Sequence, residues 1–149
     1  AGRMTHLMTV SPTVEVSYFT PSISGNPATN DYATLTAGNV NQIGVTGSGT
    51  STLSLPAGRY HIRCCLGGTK STASSDLQYQ LELGGSLVGN LGGWDTNNGL
   101  FPGGRASTEY SEHVVVLTTA TNLRAKVTLA SGTNAVTSTY SGMIIRRVS

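Results

Sequence analysis

Between Leu77 and Leu83 apolar side chains occupy every second position, with Leu77, Tyr79, Leu81 and Leu83 alternating with Gln78, Gln80 and Glu82. A period of two sends alternate residues to opposite faces of a β-strand, so this segment reads as a strand with one buried and one wet face. Upstream, Thr52 to Leu55 ends at Pro56, and Ala57 with Gly58 turn the chain into Arg59 to Leu66. There Tyr60, Ile62 and Cys64 alternate with Arg59, His61 and Arg63. Pro56 cannot donate to a ladder and Gly58 permits a positive φ, which predicts a turn between two strands with Tyr60 entering the core. The Gly84 and Gly85 pair turns Leu77 to Leu83 into a second hairpin arm, Ser86 to Leu91.

Further along, Glu109 to Leu117 resumes a strand, Thr118 to Thr121 makes a polar turn, and Leu123, Ala125, Val127 and Leu129 alternate again. Ser131 to Asn134 break the pattern, and Tyr140 to Val148 forms the last strand. Its run Met143, Ile144 and Ile145 is apolar on both faces, as in a central or interface strand. Near the start, Val14, Val16 and Tyr18 alternate with Glu15 and Ser17, and Ile43 to Val45 is a weaker strand candidate. Thr20 to Asn41 offers mostly turn residues around Tyr32 and Leu35. Gly, Pro or β-branched clusters interrupt every window long enough for a helix. The pattern predicts an all-β, antiparallel β-sandwich of immunoglobulin or jelly-roll kind, taken here as a jelly roll of about 8–10 strands. One domain spanning 1–149 suits the length, since a chain of that size buries about two thirds of its surface.

Composition agrees with strands and turns. The chain has 21 Thr, 17 Ser and 19 Gly, and only 11% of its residues are charged, so hydroxyls and glycine stand where Lys and Glu usually sit. A formal net charge of +2 is too small to neutralise a run of phosphates, which argues against nucleic acid as a partner. No stretch of about 18 apolar residues predicts membrane insertion, and no charged start followed by an apolar run marks a signal peptide. The chain is therefore read as soluble. The adjacent Cys64 and Cys65 point to opposite faces of a strand and do not bridge each other, which fits folding in a reducing cytosol.

Candidate chemistry is sparse. Ser residues, His6, His61, His113, Asp31, Asp76 and Asp95 supply the inventory of a hydrolytic triad, but no G-x-S-x-G elbow occurs. His61, between two arginines on a strand, and His113, beside Glu112, read as surface side chains, so no catalytic residue and no enzyme activity is assigned. Asp95, Asn97 and Asn98 include a single carboxylate, too little charge for calcium, and no Cys or His spacing suits zinc. Neither a metal nor another cofactor is expected. The Gly-rich loop Gly92 to Gly104 is the candidate for recognition. Trp94 and Phe101 offer flat apolar faces, while Asp95, Asn97, Asn98 and Arg105 offer hydrogen-bond partners to a sugar or a protein surface. Alternatively, Trp94 plugs one end of the sandwich or packs against a neighbouring subunit. Arg146 and Arg147 form either a binding patch or a cross-strand pair, with Glu109, Glu112 or Glu82 as partner. Tyr60, Tyr79, Tyr110 and Tyr140 all fall on strands, either at a subunit interface or in the core with their hydroxyls at its edge.

From about Thr50 onward the order of these features resembles the C-terminal head domains of bacteriophage tail fibres and head fibres, which share the jelly roll of tumour necrosis factor and complement globular heads. The turn Leu55-Pro56-Ala57-Gly58-Arg59-Tyr60 looks like the family's "LPAG-x-Y". The Leu-rich hairpin Leu77 to Gly92, the strand–turn–strand unit Ser111 to Leu129 and the closing Tyr140 to Val148 follow in the same order, while residues 1–50 match only loosely. The resemblance implies a homotrimer at the virion surface, made in the host cytoplasm. It further implies receptor binding to a host cell-surface glycan or protein, or, as a decoration protein, docking to other virion proteins. Tyr79, Tyr110, Tyr140, Met143 and Ile145 are the candidate trimer contacts.

Overall fold

The computed structural model describes residues 2, 13–71, 74–94 and 109–149. Apart from one 3-10 turn at Ser138–Tyr140, its regular elements are antiparallel strands. In chain order they are β1 (Val14–Ser22), β2 (Thr34–Asn41), β3 (Leu53–Leu55), β4 (Gly58–Cys65), β5 (Gly68–Lys70), β6 (Asp76–Leu83), β7 (Ser86–Trp94), β8 (Ser111–Leu117), β9 (Thr121–Ser131), β10 (Asn134–Val136) and β11 (Gly142–Val148). They form a five-stranded sheet in the order β2-β1-β11-β4-β8, a four-stranded sheet in the order β3-β9-β6-β7, and the small pair β10-β5.

Most predicted strands are present, although Ile43 to Val45 is not a strand, Tyr110 precedes β8 and Tyr140 ends the 3-10 turn before β11; the alternation seen in β6 has the expected cause. Leu77, Tyr79 and Leu81 are fully buried, as are Leu123, Ala125 and Val127 of β9, which pairs with β6. Facing them across the sandwich are Phe19, Tyr60, Ile62, Cys64, Met143 and Ile145 of the five-stranded sheet, in one continuous buried cluster. Each buried aliphatic or aromatic side chain of this kind contributes about 1.5–3 kcal/mol relative to exposure. On its outer side the four-stranded sheet mixes polar pairs, Glu82 opposite Arg124 and Gln80 opposite Lys126, with the exposed Leu87 and Leu129. At the β6–β7 hairpin, Gly84 and Gly85 adopt φ values of +57° and +87°, a turn that side chains with a Cβ resist.

Three further readings of the sequence change. β1 is a strand, but its phase is inverted: Ser17 and Phe19 point inward, whereas Val14 is 55% and Tyr18 41% exposed. The stretch assigned mostly to turns contains β2, whose only fully buried side chain is Leu35. The break after Ser131 is short, because β10 follows at once and pairs with β5. Gly58 keeps the positive φ that its turn permits, at +158°, and a Cβ there would lie 2.7 Å from Cδ of Arg147.

Candidate interaction face

The antiparallel registers of β1, β11, β4 and β8 align their outward residues into three cross-strand rows. Val14, Val148, Arg59 and Val116 form the first, Val16, Arg146, His61 and Val114 the second, and Tyr18, Ile144, Arg63 and Glu112 the third. Rows are about 7 Å apart along the strands and neighbours within a row about 5 Å, so the array is a continuous surface. Its flanks are apolar and its centre is basic. Val114 and Val116 are 73% and 65% exposed, the highest values among the large hydrophobic side chains described. Val14, Tyr18 and Val148 bring the face to five of the ten exposed large hydrophobics among the described residues, which makes it the candidate interaction surface. An open groove of about 270 Å³ runs over it, lined by Arg59, Tyr60, His61, Val114, Val115, Val116 and Val148.

Polar contacts on this face are few. His61 Nε2 meets the Glu112 carboxylate, and the Arg63 guanidinium stacks 3.8 Å above the centroid of the Tyr110 ring. No ion pair or hydrogen bond engages the side chain of Arg59 or Arg146 among the described residues. Behind the sheet, Arg147 pairs with Glu15 through Nη2 at 2.5 Å and Nε at 2.6 Å. The expected cross-strand arginine pair therefore exists, but its acid is Glu15 rather than Glu109, Glu112 or Glu82, because β11 lies beside β1. This contact holds the Arg147 guanidinium above its ordinary range. Glu82 is instead bound to Arg124 at 2.9 Å. Burial pushes the neighbouring Tyr60 hydroxyl up, against the opposing hydrogen bond from Arg147.

Of the proposed trimer contacts, Tyr110 and Tyr140 are 47% and 41% exposed and remain available. Tyr79, Met143 and Ile145 are not, being enclosed between the sheets. The Tyr79 hydroxyl is used inside the subunit, donating to the carbonyls of Cys64 and Glu109. The apolar run at Met143 to Ile145 reflects a central strand, of which Ile144 alone reaches the outer face.

Trp94 belongs to the core. It ends β7, is 2% exposed, and its Nε1 donates to Asn134 Oδ1 at 2.8 Å. Asn134 Nδ2 donates in turn to the carbonyls of Asp76 and Ser131 at 3.0 and 2.9 Å. This closed network plugs one end of the sandwich and withdraws the indole from ligand contact. The other proposed ligand residues, Asp95, Asn97, Asn98, Phe101 and Arg105, lie outside the described residues, as does His6. His113 is half-buried, in phase with Ile62 opposite it rather than on the outer surface. No group of three or more His, Cys, Asp or Glu gathers among the described residues.

The sequence reading missed the face because β1, β8 and β11 carry apolar residues in both phases. The Val114-Val115-Val116 run and the conflict between Val14, Val16, Tyr18 and Phe19 were the available signals.

No family profile and no curated protein matches the chain. Solved structures do. Eiger TNF from S. frugiperda superposes with a TM-score of 0.66 at 11% identity, covering 91% of this chain and 93% of that one. Murine APRIL at pH 8.5 gives 0.63 at 10% identity, over 91% of this chain and 99% of its own. The fold is a tumour-necrosis-factor-like jelly roll. At this identity the likeness fixes the architecture alone, so the jelly roll's function must be argued from its own surface.

Proposed function

We propose that this jelly roll is a non-catalytic, homotrimeric binding module of a bacteriophage particle. In this reading it assembles through the outer face of the five-stranded sheet and displays the rest of its surface to a host cell-surface glycan or protein. The observation that carries the assembly is the concentration of exposed apolar side chains on this face, which holds five of the ten exposed large hydrophobics among the described residues. A surface that places Val14, Tyr18, Val114, Val116 and Val148 in water is stabilised when another copy covers it. Folds of this type commonly form homotrimers, and a closed ring leaves no apolar face exposed. The phage assignment rests on the sequence pattern running from Leu55–Tyr60 to Tyr140–Val148, and the virion surface follows from it as the place of action. Threefold repetition of a weak site raises avidity without new contacts.

A second reading, decoration of the particle by docking to other virion proteins, draws on different residues. Leu87 and Leu91 of the edge strand β7 are 47% and 48% exposed, and flat aliphatic contacts suit a protein better than a sugar. Parallel binding assays decide between the two, one on a glycan array and whole bacterial cells, the other on immobilised capsid and tail proteins. Retention on cells or glycans supports host recognition, and retention on virion proteins with none on cells supports decoration. Turnover of a surface polysaccharide by the purified chain would overturn the non-catalytic assignment.

A further inference from the structure

The array that makes the face apolar also makes it basic. Arg59, His61 and Arg63 follow one another at alternate positions of β4, and Arg146 of β11 lies directly opposite His61. Three arginines against the single carboxylate of Glu112 leave this face with a formal charge of +2, the net charge of the whole chain. Elsewhere the described residues include four basic and five acidic side chains. The excess charge is thus concentrated on the surface that association would dry.

Every carboxylate among the described residues already has a use. Glu15 holds Arg147, Glu82 holds Arg124, and Glu112 meets His61. Asp31 accepts the Ala28 N–H, Asp76 accepts from Ser131, and Glu109 is likewise engaged. Among the described residues a second copy therefore brings no spare acid to neutralise Arg59 and Arg146. Enclosing two unpaired guanidinium groups costs several kcal/mol per ion. That penalty opposes the gain from covering Val114 and Val116. Counter-charge from solution resolves the conflict. Arg59 and Arg146 sit on adjacent strands at diagonal positions about 7–8 Å apart, within reach of one ion by their long side chains. Their planar forks match the geometry of a tetrahedral oxyanion.

Resting on the self-association argued above, we propose that assembly encloses a small tetrahedral oxyanion, phosphate or sulfate, held by Arg59 and Arg146 of adjoining copies. The ion is a structural ligand of the assembled protein: it forms no covalent bond and is taken up as copies come together. His61 stands beside it and adds a further donor when protonated.

The test is sedimentation equilibrium of the full chain in sodium chloride and in sodium phosphate at one pH and one ionic strength, with Arg146→Gln and Arg59→Gln alongside. The expected result is an association constant at least about tenfold higher in phosphate, equivalent to about 1.4 kcal/mol. Both variants should fold, since their side chains point outward, and should assemble equally in the two salts. An assembled wild-type protein indifferent to phosphate, or variants that keep the full phosphate response, would overturn the anion site while leaving self-association standing. A wild-type chain that stays single in both salts would overturn both.

Discussion

Asn134→Ala removes the group that ties Trp94 to the end of the sandwich. Three hydrogen bonds disappear with it: the acceptor for Trp94 Nε1 and the donors to the carbonyls of Asp76 and Ser131. Asn134 is 3% and Trp94 2% exposed, so water does not replace these partners without loosening the plug. At about 1 kcal/mol for each net bond, and more where a buried group is left unpaired, the expected cost is about 3 kcal/mol. Trp94 is the only tryptophan, so its fluorescence reports the unfolding of this end directly. With a urea m-value of about 2 kcal/mol/M for a domain of this size, the midpoint should fall by about 1.5 M. Native emission should be that of a dry indole, moving to longer wavelength on unfolding. A midpoint within about 0.3 M of wild type, a shift of less than about 1 kcal/mol, would refute the network's role, as would a native spectrum already typical of water. For the same reason Trp94→Ala, which should cost about 3–5 kcal/mol, reads out folding and not ligand binding.

Other consequences follow from single contacts. Burial raises the Cys64 thiol far above its ordinary range, whereas Cys65 is half-buried with its sulfur toward the Tyr140 carbonyl. A thiol reagent should therefore titrate one cysteine in the native protein and two in denaturant. Gly68→Ala would place a Cβ 1.7 Å from the Ala135 carbonyl oxygen across the β5–β10 pair, and should lower stability by about 1–3 kcal/mol in the same urea assay. The Tyr60 hydroxyl is raised chiefly by burial. Its contribution is complete below the ordinary tyrosine pKa of about 10 and is lost as pH climbs from there through the folded value, because the unfolded chain ionises first. Alkaline melts should show this loss, and Tyr60→Phe should diminish it.

Legibility of the fold varied from sheet to sheet. β6 and β9 announce themselves because one face of their sheet is wet: Gln78, Gln80, Arg124 and Lys126 keep the period of two clean. In β1 the same rule selects the wrong phase, since three outward residues, Val14, Val16 and Tyr18, are apolar while an inward position holds Ser17. Period-two reading assumes that apolar means inward, and an outer face this rich in apolar side chains breaks that assumption. β2 stayed hidden because an edge strand with a single fully buried side chain carries little periodic signal. Trp94 was placed in a recognition loop by its Gly and Asn neighbours. Its partner Asn134 lies forty residues away, a pairing that no local pattern reveals.

The proposed assembly covers the outer face of the five-stranded sheet with further copies of the chain. Light scattering on the wild-type chain and on Val114→Lys tests it most directly. Val114 is 73% exposed, so lysine there leaves the subunit fold intact, but it sets a second cation in the row that holds Arg146. The wild type should have three times the 15.4 kDa chain mass, and the variant should have the mass of one folded chain. A wild-type chain with the mass of one copy at every concentration, or a Val114→Lys assembly as stable as wild type, would contradict the claim.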